Sequence, residues 1–288
     1  MTNKKFIFRS MMFVPGHNEK LLMSASRSEA DAVILDLEDS VQPVENKQIA
    51  RDKIKEKVSD GLFENFDVFP RVNDRESGHL LKDVYQLTIE GITGFVYPKL
   101  VTGQDVYFFD KLLETIEAEK GYHKGKFKIV PLIETSAAVL NAQDICKASE
   151  RVVAIAFGCE DFISDLEGIH DHEGQSLRTP RALIAMAARA NGVIPIDTVH
   201  INVHDLEDLE ENVKLARILG FEGMLILHPK EIEIAHRYFT PSEKEVGDAK
   251  EMLRLSKEAE KRRESIIEKA TQRRIKLARE YRRYIDKL

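Results

Sequence analysis

This sequence of 288 residues has few cysteines and no long apolar run. Its two cysteines, Cys146 and Cys159, are too few for a disulfide framework, which favours a reducing, cytoplasmic location. Since no stretch is apolar for long enough to cross a bilayer, we expect no membrane association. Residues 1–16 are basic and then apolar, but Arg9 and Ser10 interrupt the apolar run and no small-residue cleavage site follows. We therefore expect no signal peptide.

Basic residues are in the minority except near the C-terminus. The formal net charge is -6, yet residues 241–288 contain 15 lysines and arginines against 10 acids. That segment therefore carries +5 and the rest of the chain -11. A mildly acidic body argues against nucleic-acid binding. The basic segment fits an anionic ligand or an acidic partner surface, and it fits equally a solvated helix face.

Short runs of apolar and β-branched residues alternate with helical or polar segments over most of the chain. Near-continuous apolarity is typical of parallel strands that are covered on both faces. Eight such units, with no GxGxxG after the first, predict a (β/α)₈ barrel over residues 1–240 and disfavour an open doubly wound sheet. The predicted strands are RSMMFVP, AVILDLE, DVFPRVN, GFVYPKL, FKIVPLIE, VVAIAFG, DTVHINV and GMLILHP.

Two later segments depart from this regular alternation. After the sixth strand, a long polar stretch is expected to form a loop over the barrel mouth, followed by a helix that opens at Thr179-Pro180. His170 and His172 in that stretch have no further ligands nearby, so we do not predict a metal site there. Residues 241–288 are predicted to form a basic helical arm, a single long helix from Glu251 onwards. It would pack on a neighbouring subunit or across its own barrel.

The fifth and sixth predicted strands each end in acidic residues. If both lie parallel in one sheet, Glu134 and Asp161 emerge at the same edge and can share a divalent cation. Glu160 competes with Asp161, because neighbouring side chains on a strand point to opposite sides. Carboxylates without cysteine or clustered histidine predict Mg²⁺, with Mn²⁺ as the alternative.

Charged residues at the ends of three other strands complete the predicted site. The permanently charged guanidinium of Arg71 can bind a carboxylate or an enolate oxygen of the substrate. Alternatively, it forms an ion pair with the acids of strand two. Those acids, Asp36, Glu38 and Asp39, are too close together to be ionised without a compensating charge from Arg71, Lys99 or the metal. We predict that they orient Arg71 and metal-bound water, and that one of them serves as general acid or base. Lys99 is included among the substrate-binding residues.

Seven segments of the chain carry a family resemblance. In chain order they are RSMMFVPG, VILDLEDSV, FPRVN, YPKL, PLIETSAAV, FGCEDFISDLEG and LILHPKEI. Together they resemble the citrate lyase β-subunit and malyl-CoA lyase family of the HpcH/HpaI aldolase superfamily. The resemblance covers about residues 9–245 and implies a TIM barrel, Mg²⁺ and a homo-oligomer, commonly a trimer or hexamer. It favours Asp161 over Glu160 and matches Glu134 and Arg71.

The resemblance implies reversible carbon–carbon cleavage of a 3-hydroxy acyl thioester of the citryl, malyl or citramalyl type. The metal would bind the keto acid, Arg71 would steady the thioester enolate, and main-chain amides around Gly158 would hold the keto-acid carboxylate. The carrier would be coenzyme A or an acyl carrier protein.

Two features depart from the family. The DGKMID-like lid stretch is replaced by the basic segment, and His17 follows Pro15-Gly16. Two alternatives therefore stay open. One is an aldolase that acts on free hydroxy-keto acids, and the other is a citrate-lyase-like subunit whose basic arm serves assembly with an acidic partner.

Overall fold

The barrel is visible in a computed structural model that describes residues 6–169 and 174–262. Eight parallel strands form one sheet in the order β3-β2-β1-β8-β7-β6-β5-β4. They are β1 Ser10–Pro15, β2 Ala32–Asp36, β3 Asp67–Val68, β4 Gly94–Tyr97, β5 Lys128–Ile133, β6 Ala154–Phe157, β7 Ile194–Asp197 and β8 Gly223–Ile226.

The sheet closes between its two edge strands, β3 and β4. Thr93 donates its amide hydrogen to the Val68 carbonyl at 2.9 Å and Val96 donates to Pro70 at 3.0 Å. The Val72 amide returns a bond to the Val96 carbonyl at 3.2 Å. The predicted (β/α)₈ barrel is therefore confirmed, and the backbone around Arg71 forms part of its closing seam.

The helices that connect successive strands surround the sheet and cover an apolar core. Phenylalanines dominate the largest fully buried side chains, among them Phe8, Phe69, Phe95, Phe127 and Phe157. The helices in the described residues are α1 Glu19–Ala25, α2 Asn46–Ser59, α3 Leu80–Leu87, α4 Gly103–Glu119, α5 Ser136–Leu140, α6 Ala142–Lys147, α7 Cys159–Asp165, α8 Gln175–Asn191, α9 Leu206–Leu219, α10 Ile232–Phe239 and α11 Glu243–Arg262.

Strand seven lies earlier in the chain than predicted. The sequence DTVHINV suggested a strand over residues 197–203, but β7 is Ile194–Asp197 and the following residues form a loop. Proline usually argues against an inner strand. Pro195 is tolerated because it lacks only one amide donor, while its carbonyl still accepts the Glu222 amide at 3.0 Å. The polar and apolar alternation after Asp197 belongs to the loop.

Two helices also begin earlier than predicted. Helix α8 starts at Gln175, so Pro180 lies inside it and not in its first turn. Helix α11 starts at Glu243 because Ser242 and Glu245 form a capping box: the Ser242 amide donates to the Glu245 carboxylate at 2.8 Å, and the Glu245 amide donates to the Ser242 hydroxyl at 3.3 Å. His170, His172 and the arm beyond Arg262 lie outside the described residues.

The chain divides into two compact units. Phe8–His236 forms the barrel unit, and the other unit contains the helix α11. The C-terminal helical extension is therefore present, while the predicted boundary at residue 240 stays a prediction. In the part of the chain that the structure describes, every helix is too short or too polar to span a bilayer.

Candidate active site

An ion pair between β2 and the barrel seam forms the base of the candidate site. Arg71 donates from Nε to Asp36 Oδ1 at 2.6 Å and from Nη2 to Asp36 Oδ2 at 2.8 Å. Both residues are buried. Burial alone would raise the pKa of Asp36, but Arg71, Ser40 and the Glu38 amide outweigh it and lower that pKa to about 2. Asp36 is therefore a fixed negative charge that orients the guanidinium.

Glu38 and Asp39 follow β2 and face the outer nitrogen of the same guanidinium. Arg71 Nη1 lies 3.1 Å from Glu38 Oε2 and 3.2 Å from Asp39 Oδ2. Lys99 Nζ approaches the other Glu38 oxygen at 2.6 Å. Both oxygens of Glu38 are buried without a donor at a hydrogen-bonding angle. Burial raises the pKa of Glu38 because it outweighs the opposing charges of Arg71 and Lys99.

Lys99 connects this acidic loop to β5. Its backbone has a φ of 53°, a left-handed conformation that is uncommon for a residue other than glycine. In that conformation the Lys99 amide donates to Glu134 Oε2 at 2.8 Å, while its ammonium pairs with Glu38. Backbone strain of this kind persists where the surrounding structure fixes it and is common at functional sites.

Glu134 is a buried carboxylate at the end of β5, 3% exposed. Burial is the main cause that raises its pKa to about 8, and the negative charges of Glu38 and Asp161 add to it. Gly158 lies against this side chain: a Cβ there would meet Glu134 Cγ at 2.7 Å. The glycine is required because any larger residue would displace the carboxylate.

Asp161 lies in the first turn of α7, not on β6 as the sequence suggested. Its side chain is exposed, and its charge contributes to the raised pKa of both Glu134 and Lys99. Glu160 is in the same turn and is also exposed. The helix starts right after Gly158, so Asp161 lies just beyond the carboxyl end of β6.

The pair Glu134 and Asp161 fits a divalent cation that binds hard oxygen ligands. One carboxylate is buried, held by a backbone amide and packed against a glycine, while the other is exposed. Among the described residues, no group of three or more acids, histidines or cysteines is placed to hold a metal. Two protein ligands would leave coordination positions for water and substrate, which is usual for Mg²⁺.

Main-chain amides around Gly158 were predicted to hold the keto-acid carboxylate, but two of these amides already have hydrogen-bond partners within the protein. The Gly158 amide donates to the Ile133 carbonyl at 2.8 Å, and the Cys159 amide donates to Thr198 Oγ at 3.2 Å. Both donors are therefore engaged within the protein. What Gly158 contributes in this structure is space beside Glu134, and the carboxylate-binding role stays a prediction.

The sequence analysis missed a set of buried groups behind the site. Lys47 and Arg51 lie on the buried face of α2 with Ala50, Ile54 and Val58. Arg51 Nη1 pairs with Asp83 at 2.6 Å, and Asp83 accepts from the Asn73 amide at 2.8 Å. A detectable signal was present, since both basic residues fall at the helical spacing of the apolar stripe.

Comparisons with known proteins identify the family of this chain. The sequence profile of HpcH/HpaI aldolase/citrate lyase matches residues 9–229. The chain belongs to that family. Within the family, a citrate lyase subunit beta from Haemophilus influenzae is 32% identical over 90% of this chain and 89% of that protein. An L-malyl-CoA/beta-methylmalyl-CoA lyase from Rhodobacter capsulatus is 30% identical over 87% and 85%. The predicted family and lyase class are confirmed.

Solved family structures are similar across the barrel. CitE from Mycobacterium tuberculosis, in complex with magnesium, acetoacetate and coenzyme A, is 26% identical with a TM-score of 0.69 over 88% of each chain. The citrate lyase beta subunit from the same organism, complexed with oxaloacetate and magnesium, is 25% identical. It has a TM-score of 0.68 and covers 83% of this chain and 100% of that one. Magnesium in both structures agrees with the predicted cofactor.

Proposed function

We propose that this protein is a Mg²⁺-dependent lyase that cleaves a 3-hydroxy acyl thioester into an acyl thioester and a keto acid. The observation that carries the proposal is the link through Lys99, which contacts Glu134 by its amide and Glu38 by its ammonium. Through this link, Lys99 would hold a cation site and a proton-accepting acid side by side. Family members that act on malyl-CoA, or that bind magnesium, acetoacetate and coenzyme A, support the substrate class.

Glu134 and Asp161 would hold the Mg²⁺ ion. When bound, the ion supplies the positive charge that polarises the oxygen of the keto-acid half. Glu134 needs that charge, because burial holds its pKa at about 8 and the side chain is largely protonated at neutral pH without a cation. Asp161 is exposed, so the site that it would form with Glu134 would stay open to substrate.

Glu38 is the acid best placed to accept the substrate's hydroxyl proton. Asp36 accepts five hydrogen bonds and has a pKa of about 2, which makes it a weak base. Asp39 is 58% exposed, so water competes for it. Glu38 is buried, its pKa is raised, and its two oxygens face the charged groups of Arg71 and Lys99. A base with a raised pKa transfers protons more effectively near neutral pH.

Arg71 would stabilise the charge that develops on the thioester. As Glu38 takes the hydroxyl proton, the carbon–carbon bond breaks, the hydroxyl carbon becomes the keto carbonyl, and the electron pair moves into the thioester enolate. Asp36 aims the guanidinium, and the Phe13 ring lies 4.8 Å from its central carbon. The enolate then takes back the proton from Glu38 to give the acyl thioester. A fixed, buried cation stabilises an oxyanion without reorganisation.

The test is to incubate the protein with malyl-CoA, citramalyl-CoA or a citryl thioester and to measure released keto acid, with and without EDTA. We expect Mg²⁺-dependent release from at least one thioester. Cleavage of a free hydroxy-keto acid, with no thioester turned over, would support the aldolase alternative and contradict the proposal.

A homo-oligomer, as a trimer or hexamer, and an arm over residues 241–288 that contacts a neighbouring copy belong to the same proposal. The exposure of Leu255 on α11 supports the arm, because an apolar stripe on a helix needs a partner surface. Light scattering of the full chain and of a chain truncated after residue 240 tests this. An unchanged oligomer after truncation would remove the arm from the assembly.

A further inference from the structure

Lys47 is a buried lysine on the inner face of α2, only 5% exposed. Its ammonium donates to two consecutive backbone carbonyls, Leu37 at 2.8 Å and Glu38 at 2.6 Å. Burial lowers the pKa of Lys47, while the negative charges of Asp36 and Glu38 oppose that shift. Burying an ammonium group is costly unless charges and hydrogen bonds compensate. Both hydrogen bonds of the Lys47 ammonium therefore go to a single loop, the one that follows β2.

That loop carries the acids of the candidate site. It leaves β2 at Asp36, whose side chain accepts the Glu38 and Ser40 amides at 3.0 Å each, and it closes with a bond from the Val41 amide to the Glu38 carbonyl at 3.2 Å. Lys47 supplies a donor to the Leu37 carbonyl and a second donor to the Glu38 carbonyl. With both carbonyls fixed, the Glu38 side chain is held toward Arg71 and Lys99.

Helix α2 is itself anchored on the other side of the site. Arg51 lies one helical turn after Lys47, and its guanidinium pairs with Asp83, which is fully buried. Asp83 in turn accepts from both the amide and the side chain of Asn73, at 2.8 and 2.6 Å. Asn73 is two residues after Arg71. The same helix is therefore linked to the segment after Asp36 directly, through Lys47, and to the segment after Arg71 indirectly, through Asp83.

We propose that Lys47 is a positioning residue, which fixes the loop after β2 so that Glu38 is presented to the substrate. The inference rests on the proposed function for its catalytic consequence, though the ordering of the loop can be measured without any substrate. Lys47 acts only through Glu38 and does not touch the cation site, since the contacts of Glu134 come from Lys99 and Gly158.

The experiment compares Lys47→Met with Lys55→Met. Lys55 lies on the exposed side of the same helix, so the same substitution there is a matched control. In Lys47→Met we expect faster hydrogen–deuterium exchange in the peptide covering residues 37–41. We also expect kcat to fall about 10 to 100-fold, the range usual for groups that orient an active residue. Mg²⁺ affinity should stay within about twofold of wild type, because the metal ligands are untouched. Lys55→Met should match wild type in all three measurements.

Two results would overturn the inference. One is unchanged exchange in residues 37–41 together with unchanged kcat, and the other is a loss of thermal stability with normal kcat in the folded protein. If Lys47→Met does not fold, Lys47→Gln is measured in its place, because its shorter side chain still carries an amide donor. If the wild type cleaves no thioester, the proposed function fails, and the exchange comparison still decides whether Lys47 orders the loop.

Discussion

Buried ion pairs lie at both ends of the barrel, and the two ends differ in how completely their carboxylates are hydrogen-bonded. At the amino-terminal end of the strands, Glu117 accepts two bonds from Arg151 at 2.6 Å each and two backbone amides at 3.0 Å. At the opposite end, Glu38 meets two cations without a good hydrogen bond, and Glu134 has a pKa raised to about 8. Complete pairing suits a structural role, whereas incomplete pairing leaves oxygen atoms available to bind a ligand.

The largest effect is expected from breaking the structural network. Glu117→Gln removes the charge that pairs with Arg151, which is itself only 3% exposed. Arg151 keeps its existing pair with Asp110, so the loss should not exceed the about 3–5 kcal/mol that is typical when a buried pair is broken. Urea unfolding should show this loss, while the KM of the folded variant for its thioester should stay unchanged. A stability equal to wild type would show that the existing pair with Asp110 is enough to compensate the charge of Arg151.

The complementary change at the catalytic end is Glu134→Gln. We expect the Mg²⁺-dependent rate to fall at least about 100-fold, since changes in groups that only support a metal ligand already cost 10 to 100-fold. Thermal stability should not fall, because the amide replaces a carboxyl group that burial already keeps protonated at neutral pH. An activity assay at increasing Mg²⁺ concentration and a thermal melt measure the two quantities. A normal metal requirement would show that the site is misplaced.

A smaller effect is expected when the space beside Glu134 is filled. Gly158→Ala places a Cβ 2.7 Å from Glu134 Cγ, closer than carbon atoms approach, so the carboxylate must move. We expect about a 10-fold loss or more in Mg²⁺ affinity, comparable to the effect of disturbing a group that orients a ligand. Gly247→Ala is the control, since a Cβ there meets nothing within 4 Å. Equal Mg²⁺ affinity in both variants would contradict the close packing.

The mildest test uses pH alone. The pKa of Glu134 is raised from 4.5 to about 8, so the metal-free protein holds a proton there that the unfolded chain releases above pH 4.5. This group therefore stabilises the metal-free fold at low pH, and its contribution is lost as the pH rises toward 8. Mg²⁺ must displace that proton, so its affinity should rise with pH by up to about tenfold per unit below 8. Calorimetry in two buffers of different ionisation enthalpy should detect the released proton, and no release would contradict the protonated state.

Several parts of the site were accessible from the sequence. Acids and an arginine at strand ends indicated Glu134, Arg71 and the loop after β2, because parallel strands bring their carboxyl ends to one face. The ion pair of Arg71 with the strand-two acids, offered as one of two roles, is present. Strand seven was predicted too late in the chain for two reasons. Pro195 argued against a strand where β7 lies, and the residues of the following loop alternate between polar and apolar as the residues of an exposed strand do.

The amino-acid sequence by itself determined the barrel and the chemical types at its mouth, since strand periodicity and residue identity are local properties. Only the tertiary structure decided which carboxylates are free to react. Asp36, Glu38 and Glu134 are alike as residues, yet their pKa values separate because one is surrounded by donors and the other two are buried with fewer. Burial and distance to a partner depend on contacts between distant parts of the chain. The same holds for Lys47: its spacing along α2 indicated a buried position, but only the folded chain shows the two carbonyls that its ammonium meets.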